Sequence, residues 1–352
     1  MKLSLKDELK DLPKISVVMP IKNEARYIAR TIEQILSQDY PDDKKEILVI
    51  CGQSEDNSTE IVAGIASQDS RVKLFPNPVG RSSGGRNIGA KRATGEIITF
   101  IDGHTFIESN QLLLNTARLM AEKGVSVLSR PQFLEPPDNT LFQQAVALAR
   151  KSAIGHGPDS TIYNNKEMYV NPTSSGASYK REVFEKVGYF DERFDACEDV
   201  EFNYRVSKIW NKSFTSRGLA VKYYPRETLA ALFTQLKRYG IGRFRLARKH
   251  PGTLGIGTLI IALFTAGLPI LIFLSFFRSL AFFALLGSVG LYLLSILFWS
   301  VAVAMRKGMK YLPLLPAIYP TIHFGLGWGF LGELWRTVTG RGISFKSKEK
   351  PN

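Results

Sequence analysis

The chain has 352 residues, 45% of them apolar, and a formal net charge of +14. Fifteen of its 46 basic residues but only two of its 32 acids lie after Gln235, leaving 31 bases against 30 acids in the first 235 residues. The charge is therefore no nucleic-acid footprint; it flanks long apolar runs, where an anionic membrane surface would attract it. Two cysteines, Cys51 and Cys197, build no disulfide framework and suit a reducing compartment. Met1 to Asp7 holds no apolar core of signal-peptide length, so the first domain is expected on the synthesis side of the membrane.

In chain order, Ile15 to Pro20 is a short buried strand, and Lys22-Asn23-Glu24 a polar turn. Ile28, Ile32, Ile35 and Leu36 give helical spacing to Ala25–Leu36. Glu46–Cys51 is a second strand, Glu60–Ala66 a helix and Val72–Phe75 a third strand. Strand alternating with helix predicts a mostly parallel sheet with helices on both faces. Gly80 to Gly95 mixes five glycines with Arg81, Arg86, Lys91 and Arg92. It lacks the P-loop pattern. It reads as a loop entering a helix at Arg86, with backbone N–H groups and arginines available to an anion, or as an ordinary basic surface helix.

Ile97 to Ile101 is a buried-strand run that stops at Asp102-Gly103-His104. The carboxyl ends of parallel strands are where open α/β sheets bind ligands. Asp102 and His104, two apart in extended backbone, point the same way. A carboxylate and an imidazole suit Mn²⁺ or Mg²⁺ carrying a diphosphate; an Asp-Gly strand terminator is the plain alternative. Val125–Ser129 predicts a strand, Asn139–Ala153 a helix, and Gly155–Val170 a long loop. After Pro172–Tyr179, Arg181–Val187 reads as a short helix and Gly188–Glu192 as a turn. Glu198, Asp199 and Glu201 open a helix over Val200–Ile209, more acids than one cap requires.

Residues 253–277 and 279–305 are uncharged, and each is long enough to cross a bilayer. Arg243, Arg245, Arg248 and Lys249 precede the first run, Arg306, Lys307 and Lys310 follow the second, and Arg278 lies between. The positive-inside rule makes this a hairpin with both flanks cytoplasmic. Residues 311–333 hold three prolines and four glycines; a third crossing is the expectation, a re-entrant segment the alternative.

The motifs in this order resemble the family 2 glycosyltransferases, whose nucleotide-sugar domain has the GT-A fold. Ile15–Glu24 is similar to that family's opening strand, Asp102-Gly103-His104 to its Asp-x-Asp metal motif, Gly188–Glu192 and Glu198-Asp199 to its Gly-Gly-Phe-Asp-Glu and Glu-Asp motifs. Gln235-x-x-Arg238-Tyr239 resembles the Gln-x-x-Arg-Trp motif of membrane synthases. Within the family, the resemblance runs to bacterial succinoglycan-biosynthesis glucosyltransferases, which share Asp-x-His and the run from Gln235 to Arg243. Where relatives often carry Asp-Asp, this chain has Cys51-Gly52.

Charge and hydropathy give a basic interfacial segment over 236–252, a transmembrane region over 253–335 and a basic tail over 336–352, and the resemblance implies an α/β GT-A domain over residues 1–235. It implies Asp199 as general base, Asp102 and His104 as ligands of Mn²⁺ or Mg²⁺, and Glu24, Asp56, Arg86, Asp102, Gly176, Glu198, Gln235, Arg238 and Tyr239 as substrate-binding positions. Of these, Glu24 would hold the nucleotide, Asp56 the base, Arg238 the diphosphate and Tyr239 a sugar face. The expected activity is inverting transfer of a hexose from a UDP-sugar to a polyprenyl-diphosphate-linked or other lipid-linked saccharide. It would occur on the cytoplasmic face of the plasma membrane, in exopolysaccharide or envelope-glycan synthesis. The rivals are a processive polysaccharide synthase and a non-catalytic membrane scaffold; the partners are donor, acceptor and membrane lipids, with no nucleic acid.

Overall fold

The structure is a computed structural model that describes residues 11–155, 162–163 and 166–345. Met1–Asp7, most of the 156–165 stretch and the tail lysines Lys346, Lys348 and Lys350 lie outside the described residues. The chain divides into two compact units, residues 1–137 with 160–224 and residues 138–159 with 225–352.

The first unit opens with β1 (Ile15–Ile21), α1 (Ile28–Leu36), β2 (Lys45–Cys51), α2 (Ser58–Gln68), β3 (Val72–Pro76), α3 (Ser82–Arg92) and β4 (Ile97–Phe100). Next come β5 (Thr105–Phe106), α4 (Leu112–Glu122), β6 (Val127–Ser129) and β7 (Gln132–Phe133); α5 (Leu141–Lys151) belongs to the second unit. The first unit resumes with β8 (Met168–Val170), β9 (Gly176–Lys180), α6 (Arg181–Val187), α7 (Glu198–Ser207), β10 (Ser213–Thr215) and β11 (Val221–Tyr223).

Eight strands form one sheet in the order β3-β2-β1-β4-β9-β6-β10-β8. The pairs β1–β2, β2–β3, β1–β4 and β6–β10 are parallel; β9 runs antiparallel between β4 and β6, and β8 is an antiparallel edge. A three-stranded sheet, β5-β11-β7, sits apart from it. Strand order reverses at β1, so the carboxyl ends of β1, β2 and β4 meet at a switch point, the crevice such sheets offer to ligands. The runs in β1 and β2 are apolar because helices cover both faces; Ile28, Ile32 and Ile35 of α1 are fully buried.

One charge is built into this core. Glu46 of β2 accepts from Ser16 Oγ at 2.6 Å, the Thr94 N–H at 2.7 Å, Thr94 Oγ1 at 2.8 Å and Lys73 Nζ at 2.9 Å. Burial raises its pKa, but these donors outweigh burial and bring it down to about 2. Glu46 therefore ties β1, β3 and the turn after α3 to its own strand.

The glycine-rich stretch differs from its reading in sequence. The helix begins at Ser82, not Arg86, and Gly84, Gly85 and Gly89 lie inside it. A Cβ on Gly89 would stand 2.2 Å from Val18 Cγ1. These glycines let a helix lie close on β1; they are not a phosphate-cradling loop.

The second unit holds α5, capped by Thr140 and Gln143 in a reciprocal capping box, with α8 (Leu229–Lys249), α9 (Ile256–Ser275), α10 (Ser279–Lys307) and α11 (Leu315–Val338). The backbones of α8 and α11 come close: a Cβ on Gly240 would fall 2.0 Å from the Leu326 carbonyl, and one on Gly329 2.0 Å from that of Lys237. Glu333 of α11 is buried and pairs with Arg245 of α8 at 2.8 Å. Helices α9 and α10 are different. Their 20 and 29 residues are long and apolar enough to cross a membrane, and Ile256, Leu280 and Leu291 are 77%, 81% and 72% exposed. Side chains this apolar and this exposed do not form the core of a water-soluble globule. Among the described residues, α9 and α10 are the two helices with that length and composition.

Candidate active site

The site is built where β4 ends. Its last carbonyl, Phe100 O, accepts from Arg130 Nη1 at 2.6 Å, and Arg130 Nη2 reaches Thr99 Oγ1 at 2.5 Å and Ser178 Oγ at 3.2 Å. A guanidinium 2% exposed thus bolts β4 to β9 just below Asp102. Beyond it, Thr31 Oγ1 lies 2.8 Å from both the Gly103 and Thr105 carbonyls, fixing the Asp102-Gly103-His104 turn to α1.

Arg86, projecting from α3, organises the acids. Its Nη2 lies 3.1 Å from Asp102 Oδ1 and its Nε 3.4 Å from Glu198 Oε1. The rings of Phe100 and Phe190 lie 5.2 and 5.8 Å from its guanidinium carbon. Burial works against its charge, yet Asp102, Glu198 and Asp199 outweigh burial and hold Arg86 firmly protonated. Glu198 is pushed above the usual carboxylate range by burial, opposed by Arg86 and reinforced by Asp199. Tyr223 is also raised, by burial and then by Asp102, and its ring meets His104 edge-on with centroids 5.8 Å apart. His104 Nδ1 is 2.7 Å from Glu24 Oε1.

Two non-glycine residues among those described have left-handed backbone, Asn23 (φ 56°) and Cys197 (φ 60°). Each immediately precedes a site carboxylate, Glu24 or Glu198, and such conformations persist where surrounding contacts enforce them. The acids of the Glu198-Asp199 pair occupy the first turn of α7, which starts two residues earlier than its sequence pattern suggests.

Glu24, Arg86, Asp102, His104, Glu198 and Asp199 are thus brought together. Asp56 serves the same corner from behind: Oδ2 accepts from the Ala25 N–H at 3.0 Å and Oδ1 from the Ser58 N–H at 3.1 Å. Burial of Asp56 is outweighed by these bonds and its Ser58 hydroxyl contact, so its pKa is lowered. Gly176 begins β9 and packs on α7, where a Cβ would meet Asn203 Oδ1 at 2.4 Å. Gln235, Arg238 and Tyr239 lie on α8 of the second unit and share one helix face by their spacing; Gln235 Nε2 is 3.4 Å from the Tyr239 hydroxyl. The Gly188–Glu192 motif is a brace: Asn87 Oδ1 accepts from the Phe190 N–H at 2.8 Å, and Asn87 Nδ2 donates to Phe190 O at 2.9 Å.

Sequence reasoning missed Arg130, Thr31 and Tyr223. Arg130 carried a signal, since it ends the strand pattern Val125–Ser129 much as Asp102 ends its own.

Among the described residues, no three His, Cys, Asp or Glu side chains gather as a closed metal cage. Asp102 and His104 instead suit a cation that completes its shell with substrate oxygens, as Mg²⁺ and Mn²⁺ do at diphosphates.

A mostly parallel sheet with acids ranged at its switch point agrees with the GT-A fold expected from the motifs. The model of "Glycosyl transferase family 2" matches residues 16–188. The chain is 27% identical to the succinoglycan biosynthesis protein ExoA of Rhizobium meliloti (strain 1021) over 331 residues, 90% of this chain and 94% of that one. It is 22% identical over 324 residues, 91% and 97% of the two chains, to a dolichyl N-acetyl-α-D-glucosaminyl phosphate 3-β-D-2,3-diacetamido-2,3-dideoxy-β-D-glucuronosyltransferase of Methanococcus voltae. Its fold is similar to that of the mannosyltransferase PcManGT from Pyrobaculum calidifontis, solved with GDP-Man and Mn²⁺, at a TM-score of 0.55 and 21% identity over 90% of this chain and 88% of that one. The chain belongs to glycosyltransferase family 2 and is a glycosyltransferase.

Proposed function

We propose that this enzyme transfers a hexose from a UDP-sugar, with inversion, to a lipid-linked saccharide at the cytoplasmic membrane face, in exopolysaccharide or envelope-glycan assembly. The observation that carries the proposal is the set of Asp102, Glu198 and Asp199 around Arg86 at the end of β4. The name of the Methanococcus relative specifies a dolichyl-phosphate-linked acceptor, which supports a lipid-linked acceptor here. The exposed apolar helices α9 and α10 would keep the enzyme at the membrane where such a substrate resides.

In this reading, Asp199 takes the proton from the acceptor hydroxyl as its oxygen attacks the anomeric carbon. The bond to the donor diphosphate breaks on the opposite face, and no covalent enzyme intermediate forms. A divalent cation, Mn²⁺ or Mg²⁺, held by Asp102 and His104 would neutralise charge on the leaving diphosphate. Arg86 orients Asp102 and Glu198, and its two acids leave it a structural clamp as much as a substrate contact.

Asp199→Asn, assayed in membranes with labelled nucleotide sugars, should lower transfer by about 10²–10⁴-fold while donor binding persists. Wild-type transfer by that variant would remove Asp199 from the role of base.

A further inference from the structure

We propose that Glu24 is a positioning residue for His104, fixing the imidazole tautomer and restoring to the cation site the negative charge that an imidazole ligand lacks. This rests on the reading of Asp102 and His104 as ligands of a divalent cation.

Glu24 Oε1 lies 2.7 Å from His104 Nδ1. A carboxylate can only accept there, so Nδ1 carries the proton and the neutral ring has its lone pair on Nε2. The contact is enforced from several sides. Asn23 turns the chain at φ 56°. The Glu24 N–H donates to Ser58 Oγ at 2.7 Å, and the Ala25 N–H to Asp56 at 3.0 Å. A Cβ on Gly103 would stand 2.9 Å from Glu24 Cγ and 3.1 Å from Ile21 Cγ2, so glycine is what lets the Glu24 stem cross the turn. Thr31 holds that turn from below, and Tyr223 meets the His104 ring at its edge.

The chemistry explains the arrangement. An acid at position 104 would bring its own charge to the cation, whereas a neutral imidazole brings none. A carboxylate hydrogen-bonded to the far nitrogen raises the basicity of the ligating one and orients the ring. Glu24 thus acts through His104, a role beyond the nucleotide contact that the resemblance implies for it.

The test is Mn²⁺ titration, followed by EPR, of the full-length protein in nanodiscs with UDP and, in parallel, GDP. Glu24→Gln should weaken protein-dependent Mn²⁺ binding by about 10–100-fold, and by more than it weakens UDP binding in EDTA. In a His104→Asp background, which supplies its own carboxylate, Glu24→Gln should leave Mn²⁺ affinity unchanged. An equal penalty in both backgrounds, or a loss confined to metal-free UDP binding, overturns the positioning role. Absence of any protein-dependent Mn²⁺ signal in the wild type overturns the metal reading itself, and this inference with it.

Discussion

Arg86 and Asp102 form a partly buried ion pair, Nη2 to Oδ1 at 3.1 Å, whose guanidinium also faces the buried Glu198 across 3.4 Å. The pair joins α3, the end of β4 and the start of α7, so one side chain sets where three elements present their acids. Removing the guanidinium leaves the buried Glu198 uncompensated beside a partly exposed Asp102, at a cost of roughly 3 kcal/mol, the low end of the range for fully buried pairs. Arg86→Gln is therefore expected to lower stability by that order in urea unfolding, and to lower transfer by the remaining folded enzyme. Arg86→Lys keeps the charge without the planar fork and should fall between. A variant Arg86→Gln as stable as the wild type would show that the acids do not depend on it.

Glu46 gives a pH dependence with a defined sign. Its pKa is lowered from the ordinary 4.5 to about 2 in the folded chain. Between those values the unfolded chain binds the extra proton, so stability rises with pH there. The contribution is complete above about pH 4.5, of order 3 kcal/mol, and disappears as pH falls through about 2. Glu46→Gln should thus lie below the wild type by a constant margin at neutral pH. The two unfolding curves should converge below about pH 4.5, and a gap that persists at pH 2 would contradict the assignment.

Much of this was legible in the chain itself. The run Ile97–Ile101, broken only by Thr99 and closed by Asp102, marks a central strand because residues covered on both faces are apolar at nearly every position. What was not legible depended on distant partners. The short β5, β7 and β11 have too few residues for any periodicity, and β9 enters the sheet antiparallel only because β4 and β6 flank it. Gly84, Gly85 and Gly89 beside arginines look the same whether they cradle an anion or admit Val18 and Pro20; only the structure distinguishes these. The Glu24–His104 contact spans 80 residues and leaves no local trace.

Gly89 permits a size-swap experiment. Gly89→Ala places a methyl 2.2 Å from Val18 Cγ1, inside a layer where Val18 is fully buried. Overpacking of this kind costs about 1–3 kcal/mol. Adding Val18→Ala should recover part of the loss, because the new methyl then occupies space the valine vacates. Denaturation midpoints of the two single variants and the double variant measure the coupling. Additive losses would mean that α3 shifts bodily and does not clash at this point.

The hairpin α9–α10 makes a prediction about sidedness. Arg278 is the N-cap residue of α10 and the one charged residue between the two apolar runs. Arg306 and Lys307 end the second helix and Lys310 follows it. If α9 and α10 cross in opposite directions, residue 278 faces the side away from the catalytic unit. The native thiols of Cys51 and Cys197 are both buried, so background labelling is low. Arg278→Cys should react with a membrane-impermeant maleimide in intact cells, and Lys310→Cys only after lysis. Labelling of position 310 from outside, with position 278 protected, would reverse the orientation and place the sugar chemistry across the membrane from its nucleotide donor.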